Sequence, residues 1–256
     1  MKIKYILNVI IIISCITEIK CQDIDGMVIY STYRNESDIE ENEKITKSLN
    51  LFNDRIEKEI KKLKLSLIFS RNESSFTCIE PMHINQAEKR IHFMARILQK
   101  VYPIYYTKKT QYIEEKDLGG ELFLIKRNIN INDWKLVNEK KKIGNYICYK
   151  AIRNHSFVAA DGNNKTSKQI VWYTLEIPIH FGPKNFVGFP GLVLKVVDGN
   201  LVYEVSKIVL NPKERVIVKQ PSKKGKEISE KEYNEILEGS STNIRREMNK
   251  RKKAQN

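Results

Sequence analysis

From Tyr105 to Leu210 apolar and polar residues alternate in run after run, and the runs are separated by turn formers. Side chains along a strand point to opposite faces with a period of two, so the pattern specifies strands with one face buried. The runs are YYTKKTQYIEEKD, ELFLIKR, WKLVNEKKKIGNYICYKAIRN, QIVWYTLEIP and LVLKVVDGNLVYEVSKIVL, with ERVIVKQ (Glu214–Gln220) as a last strand. Asp198-Gly199-Asn200 sits between two such runs and is a strong hairpin signal, and Asp161–Asn164 reads as another. The succession predicts a β-meander forming one antiparallel, strongly curved sheet.

The first hundred residues add helix to this pattern. GMVIYSTYR (Gly26–Arg34) reads as a first strand, and KLSLIFS and SSFTCIE as two more around a turn at Arg71–Glu73. Between them Ile45, Leu49, Phe52, Ile56, Ile60 and Leu63 recur at steps of three and four, a helical stripe that should pack on the sheet. A membrane-surface role for this helix is disfavoured, because Glu57 and Glu59 interrupt its cationic face. The segment Ile84–Tyr102 reads either as a second helix, with Ile91, Met94, Ala95 and Leu98 inward, or as a long loop. The fold class expected is α+β, a half-barrel-like antiparallel sheet with a packed amphipathic helix.

The start of the chain carries an address. MKIKY is a short basic segment and ILNVIIIISCI an apolar one, too short for the roughly 20 apolar residues of a stable bilayer span. This predicts a signal peptide over residues 1–21, with cleavage after Cys21. Lipidation at Cys15, within a loose lipobox, is the competing reading. The protein is therefore expected to be exported, to the periplasm, the outer membrane or the medium. Cleavage leaves Cys78 and Cys148, which form either one disulfide or two buried thiols. The expected organisation is completed by a β-rich domain over 22–220 and by a short helix with a basic, disordered tail over 221–256. The net charge of +14 suits acidic partners. No nucleic-acid-binding motif accompanies it, so nucleic acid is disfavoured, whereas the tail Asn243–Asn256 could attach to an anionic membrane surface.

Catalytic constellations are absent from the sequence pattern. It holds no GxSxG, no Walker loop and no HExxH, and the four histidines, His83, His92, His155 and His180, have no metal-ligand spacing. No metal or cofactor is expected. The densest cluster of special residues is VWYTLEIPIHFGPKNFVGFPGLVLKVVDG, Val171–Gly199. Phe189-Pro190-Gly191-Leu192 fits a type II turn, in which Gly191 would supply the positive φ. Gly182-Pro183 marks a second bend, and Pro178 ends the strand before it. Phe181, Phe186 and Phe189 are too apolar for a free loop, which suggests an aromatic-stapled corner; a ligand-binding lip is the alternative.

This stretch resembles the GLPGLI proteins of Bacteroidetes-type bacteria. The resemblance rests on Trp172-Tyr173-Thr174, Ile177-Pro178, Gly182-Pro183, Phe186 and Gly188-Phe189-Pro190-Gly191-Leu192-Val193. Phe189 stands where the family has Leu and Val193 where it has Ile, both apolar replacements. Upstream, Asp133–Ala151 is similar to the family's Trp-containing strand and its Ile-Gly-x-x-Cys-x-Lys-Ala segment. The family is exported and brings no catalytic residues. The resemblance implies an envelope role beside outer-membrane transport proteins. The function expected is a non-enzymatic envelope protein that binds an apolar ligand or an outer-membrane protein partner. The alternatives are a hydrolase-type enzyme using His180 with Glu176, and a scaffold tethered by its basic tail.

Overall fold

The computed structural model describes residues 24–35, 47–82, 85–101, 103–108, 110–118, 120–158 and 163–236. The leader with Cys15 and Cys21, Ile45, the Leu49 side chain, His83, the tip of the Asp161–Asn164 turn and the tail Asn243–Asn256 lie outside them.

The strands are β1 (Gly26–Arg34), β2 (Lys64–Ser70), β3 (Glu73–Cys78), β4 (Ile104–Lys108), β5 (Gln111–Leu118) and β6 (Glu121–Asn128). They continue as β7 (Lys135–Ile143), β8 (Tyr146–Val158), β9 (Asn164–Thr174), β10 (Leu192–Asp198), β11 (Leu201–Leu210) and β12 (Lys226–Ser229). All belong to one curved, open sheet in the order β12-β6-β5-β4-β3-β2-β1-β11-β10-β9-β8-β7. Neighbours are antiparallel except β12, which runs parallel to β6. β1 lies in the middle because β2 pairs with one of its edges and β11 with the other. The N-terminal meander thus forms one limb and the C-terminal meander the other.

A chain-length argument explains the curvature. β6 and β7 are ten inter-strand spacings apart, which in a flat sheet would be about 48 Å. Yet only seven residue steps join Asn128 to Lys135, a reach of at most about 25 Å. The two limbs must curl toward each other, in the sense that strand twist already favours. The outermost strand β7 escapes further pairing through its lysines, since KLVNEKKKI is mostly exposed and charged along the free edge.

The concave face holds the main core. β1 alternates buried and half-buried residues, placing Val28, Tyr30 and Thr32 inward. Leu65, Leu67 and Phe69 of β2 share that face through the register Tyr30↔Leu65, Val28↔Leu67 and Gly26↔Phe69. Helix α1 (Lys47–Lys62) buries Ile56 and Ile60, and Leu63 just beyond it, in this core. Phe52, expected on the same stripe, is 39% exposed, so among the described side chains the packed part of the stripe begins at Ile56.

Helix α2 (Gln86–Leu98) resolves the alternatives for Ile84–Tyr102 in favour of helix. A capping box starts it: Asn85 Oδ1 accepts from the Glu88 N–H, and a Glu88 carboxylate oxygen accepts from the Asn85 N–H, both at 2.9 Å. Ile91 and Ala95 are buried as expected, but Leu98 is 37% exposed and His92 turns inward instead. The reason is a polar partner: His92 Nδ1 lies 2.9 Å from a Glu59 carboxylate oxygen of α1, so the ring ties the helices together.

One further expectation is corrected. Glu214–Gln220 is not a strand; it runs as a strap between Pro212 and Pro221, with Ile217 80% exposed. The strap is anchored by the Lys219 N–H donating to Ser75 Oγ at 3.2 Å. Beyond it, β12 extends the sheet although its four residues give no strand signal. A short helix over residues 230–236 follows, capped by reciprocal bonds between Ser229 and Glu232. Ile228 and Tyr233 form a small core with Phe123 and Ile125.

Candidate functional site

The segment between β9 and β10 is an ordered corner at the heart of the core. Trp172, Tyr173, Phe181, Phe186, Phe189 and Leu192 are all buried. Its backbone is pinned by Leu192 N–H to the Ile177 carbonyl (3.0 Å), Val193 N–H to the Phe181 carbonyl (3.0 Å) and Gly188 N–H to the His180 carbonyl (2.8 Å). The Tyr30 hydroxyl donates to the Val193 carbonyl at 2.6 Å, stitching the corner to the central strand. Trp134, at the end of the β6–β7 link, meets Phe189 edge-on at 5.1 Å and Phe186 at 6.1 Å, while Tyr173 stacks on Phe189 at 5.5 Å.

The turn chemistry differs from the expected one. Gly191 is not in the left-handed region; Gly188 is, at φ 91°. Gly191 is small for another reason: a Cβ there would lie 1.8 Å from the Thr174 carbonyl oxygen. Gly182 likewise faces the Phe186 carbonyl at 2.2 Å from its would-be Cβ. These glycines permit close backbone approach, and a type II turn at Phe189–Leu192 is ruled out. Pro178 and Pro190 lie on the outside. The bend at Gly182-Pro183 closes through the Phe186 N–H donating to the Pro183 carbonyl at 3.1 Å.

Inside that bend Lys184 is buried and adopts φ 55°, a backbone conformation that costs a side-chain-bearing residue about 1–3 kcal/mol. It lines a cavity of about 450 Å³ between the two limbs. Four cations line it, Lys100, Arg127, Arg153 and Lys184, against two carboxylates, Glu114 and Asp198. Lys100, which joins α2 to the strand limb, is also left-handed, at φ 51°.

The polar groups form two relays. On one limb Arg153 Nε donates to Gln169 Oε1 (2.6 Å), and Gln169 Nε2 donates to Asp198 Oδ1 (2.7 Å). Arg153 also lies 4.6 Å above the Trp134 ring. Lys184 Nζ stands 3.9 Å from Asp198 Oδ2 and 3.4 Å from the Tyr203 hydroxyl, with the Phe186 and Tyr203 rings beneath it. On the other limb Tyr105 donates to Glu114 at 3.4 Å, and Arg127 Nη2 lies 3.5 Å from the same carboxylate. The Arg127 Nε is a buried donor without a hydrogen-bond partner among the described residues.

Burial pulls the Lys184 ammonium down to about 8, opposed by the Asp198 charge. It is still mostly cationic at neutral pH. His155 is held below 6.5 by desolvation and then by the Arg153 charge, so it is mostly neutral. The cavity lining therefore carries a net charge of about +2 at pH 7, in partly dehydrated surroundings that strengthen attraction to an anion. A second hollow, of about 540 Å³, shares Lys100, Tyr105, Glu114 and Lys184 with it and is completed by Phe93, Ile97, Pro103, Lys116 and Asp117.

Most of the expected site residues gather at the corner rather than around the cavity. His180 Nδ1 lies 2.7 Å from the Phe189 carbonyl, and Glu176 accepts the Ile147 N–H at 2.7 Å, so each is engaged apart from the other. Cys78 and Cys148 are buried free thiols, both pushed up to about 11 by burial. Among the described residues no cluster of His, Cys, Asp and Glu forms that could hold a metal. The sequence reading missed Lys184, Arg153, Arg127 and Lys100; the available hint was Lys184 inside an otherwise apolar, glycine-rich bend.

A family model described as a protein of unknown function (Porph_ging) matches residues 160–195, which span β9, the corner and the start of β10. No curated protein matches the chain. Among solved structures, PNGF-II in two crystal forms is similar at 14% and 16% identity, with TM-scores of 0.46 and 0.49. The alignments cover 81% and 82% of this chain but 31% and 32% of those chains, so this chain spans about a third of their length.

Proposed function

We propose that the chain is an exported, non-enzymatic binding protein of the cell envelope, of the GLPGLI type, which holds its ligand through an anionic group in the inter-limb cavity. The observation that carries this reading is Lys184: a buried ammonium in left-handed backbone, facing a cavity with two more cations than carboxylates. A buried charge is costly unless something compensates it, and Asp198 at 3.9 Å compensates only loosely. A bound anion completes the set. The Porph_ging match supports the family side of the proposal; export and an outer-membrane partner enter through the leader-like start and the resemblance.

The corner itself serves as a staple rather than a ligand lip, since its rings are buried against Trp134 and one another. The separate engagement of His180 and Glu176 argues against the hydrolase alternative. The test is a thermal-shift panel of carboxylates, phosphates, sulfates and their neutral analogues on the purified protein. Anionic members should raise the melting temperature, and Lys184→Met and Arg153→Met should each reduce affinity at least about tenfold, as expected for losing a charge-assisted contact. If neutral analogues bind as well as anions, or no anion binds, the proposal fails.

A further inference from the structure

The charged cavity and the second hollow share a wall, and their chemistry differs from one end to the other. The inner end presents Arg153, Arg127 and Lys184. The outer end presents the apolar Phe93, Ile97 and Pro103, with the oppositely charged Lys116 and Asp117 beside them. Phe93 and Ile97 are one helical turn apart on α2, each 43% exposed, on a face other than the one that buries Ile91 and Ala95. An apolar i, i+4 pair on an outward helix face would ordinarily sit on core, yet here it borders a hollow. Lys100 and Lys184, both left-handed, stand where the hollows meet. Each hollow falls within the roughly 300–1,000 Å³ usual for small-ligand sites.

Resting on the anion-binding reading above, we infer that the ligand is a single-chain anionic amphiphile. Its carboxylate or phosphate head sits among Lys184, Arg153 and Arg127, and its alkyl chain leaves past Lys100 along Phe93, Ile97 and Pro103. A small polar anion would fill only the charged end and leave the apolar lip in water. An uncharged hydrocarbon would cover the lip and leave the buried Lys184 with only the loose compensation of Asp198 at 3.9 Å. An amphiphile satisfies both ends, with charge complementarity fixing its direction.

The test is calorimetric titration of the purified protein with butanoate, octanoate and dodecanoate, and with dodecyl phosphate, all below their critical micelle concentrations. Affinity should rise with chain length, by up to about fourfold per methylene that the lip covers. The dodecanoate and dodecyl phosphate arms separate the two head groups, and chain-dependent binding of either supports the inference. Dodecyltrimethylammonium, with the same tail and the opposite charge, should not bind. Lys184→Met should weaken every anion, whereas Ile97→Ser should weaken dodecanoate about tenfold and leave butanoate unchanged. Dodecanoate binding no tighter than butanoate would overturn the amphiphile while leaving the anion site standing. Unchanged dodecanoate binding in Ile97→Ser would overturn the placement of the tail. No binding by any of the anions would remove the anion-binding reading itself.

Discussion

Lys184 and Gly191 show how single residues are used in this corner. The Lys184 ammonium has a folded-state pKa of about 8 against an ordinary 10.5, chiefly because burial disfavours its charge. Protonation is thus harder in the folded chain than in the unfolded one. The resulting penalty is present in full below about pH 8 and is relieved as pH rises toward 10.5. Chemical denaturation should therefore find Lys184→Met more stable than wild type at pH 7, by on the order of 3 kcal/mol. That advantage should shrink steadily between pH 8 and 10; an advantage independent of pH would contradict the assignment. Gly191 is constrained by contact rather than by torsion, because its would-be Cβ meets the Thr174 carbonyl oxygen at 1.8 Å. Backbone cannot yield as a side-chain tip can. Gly191→Ala should cost at least about 3 kcal/mol in urea denaturation, well beyond the roughly 1 kcal/mol of a typical substitution.

At the scale of elements, the sheet edges and helix ends follow from local chemistry with tertiary corrections. β7 tolerates exposure because lysines crowd its free edge, whereas β6 is protected by the short strand β12. β12 has four residues and cannot hold itself in place. The cluster of Ile228 and Tyr233 on Phe123 and Ile125 fixes it, with Lys126 and Arg127 of β6 paired to Glu227 and Glu230. Removing the Tyr233 ring should cost about 3 kcal/mol by loss of a buried aromatic. Hydrogen exchange on Tyr233→Ala should show protection lost along β12 and β6 and kept on β1. Uniform loss across all strands would show that β12 is not a separate layer of stability. The Arg127–Glu230 pair also carries the short helix after β12 to the cavity wall, so variants that release β12 and this helix should alter ligand affinity as well as stability.

For the whole molecule, the curl of the sheet is what makes a cavity at all. The seven-residue-step link from β6 to β7 draws the edges together, and Trp134 at its end locks onto Phe186 and Phe189 of the corner. The same ring carries Arg153 on its face, so one indole joins the closure of the half-barrel to the charge of the site. Trp134→Ala should lower stability by about 3 kcal/mol and weaken anion binding together. Trp134→Phe should recover stability better than binding, since a smaller ring offers a cation less. If stability and binding fall in strict proportion across both variants, Trp134 acts on the site only through folding.

Much of this was legible in the sequence, for a physical reason. Strand alternation, the Asp198-Gly199-Asn200 hairpin and the stripe of Ile56, Ile60 and Leu63 are local patterns, set by where successive side chains point. Burial of the aromatic corner could likewise be read from its composition. Other features depended on partners far along the chain. His92 turned inward because Glu59 waited on another helix, and Gly191 proved to serve a close contact with Thr174 rather than a turn. Glu214–Gln220 looked like a strand but lies across the sheet as a strap, held to Ser75 of β3. The cavity was the least visible feature. Lys100, Arg127, Arg153, Lys184 and Asp198 lie on separate elements, and nothing in their own neighbourhoods brings them together. The sequence by itself determined an antiparallel sheet with an aromatic-stapled corner. Only the tertiary structure, through a link too short for a flat sheet, decided that its two limbs face each other across a cavity lined with charge.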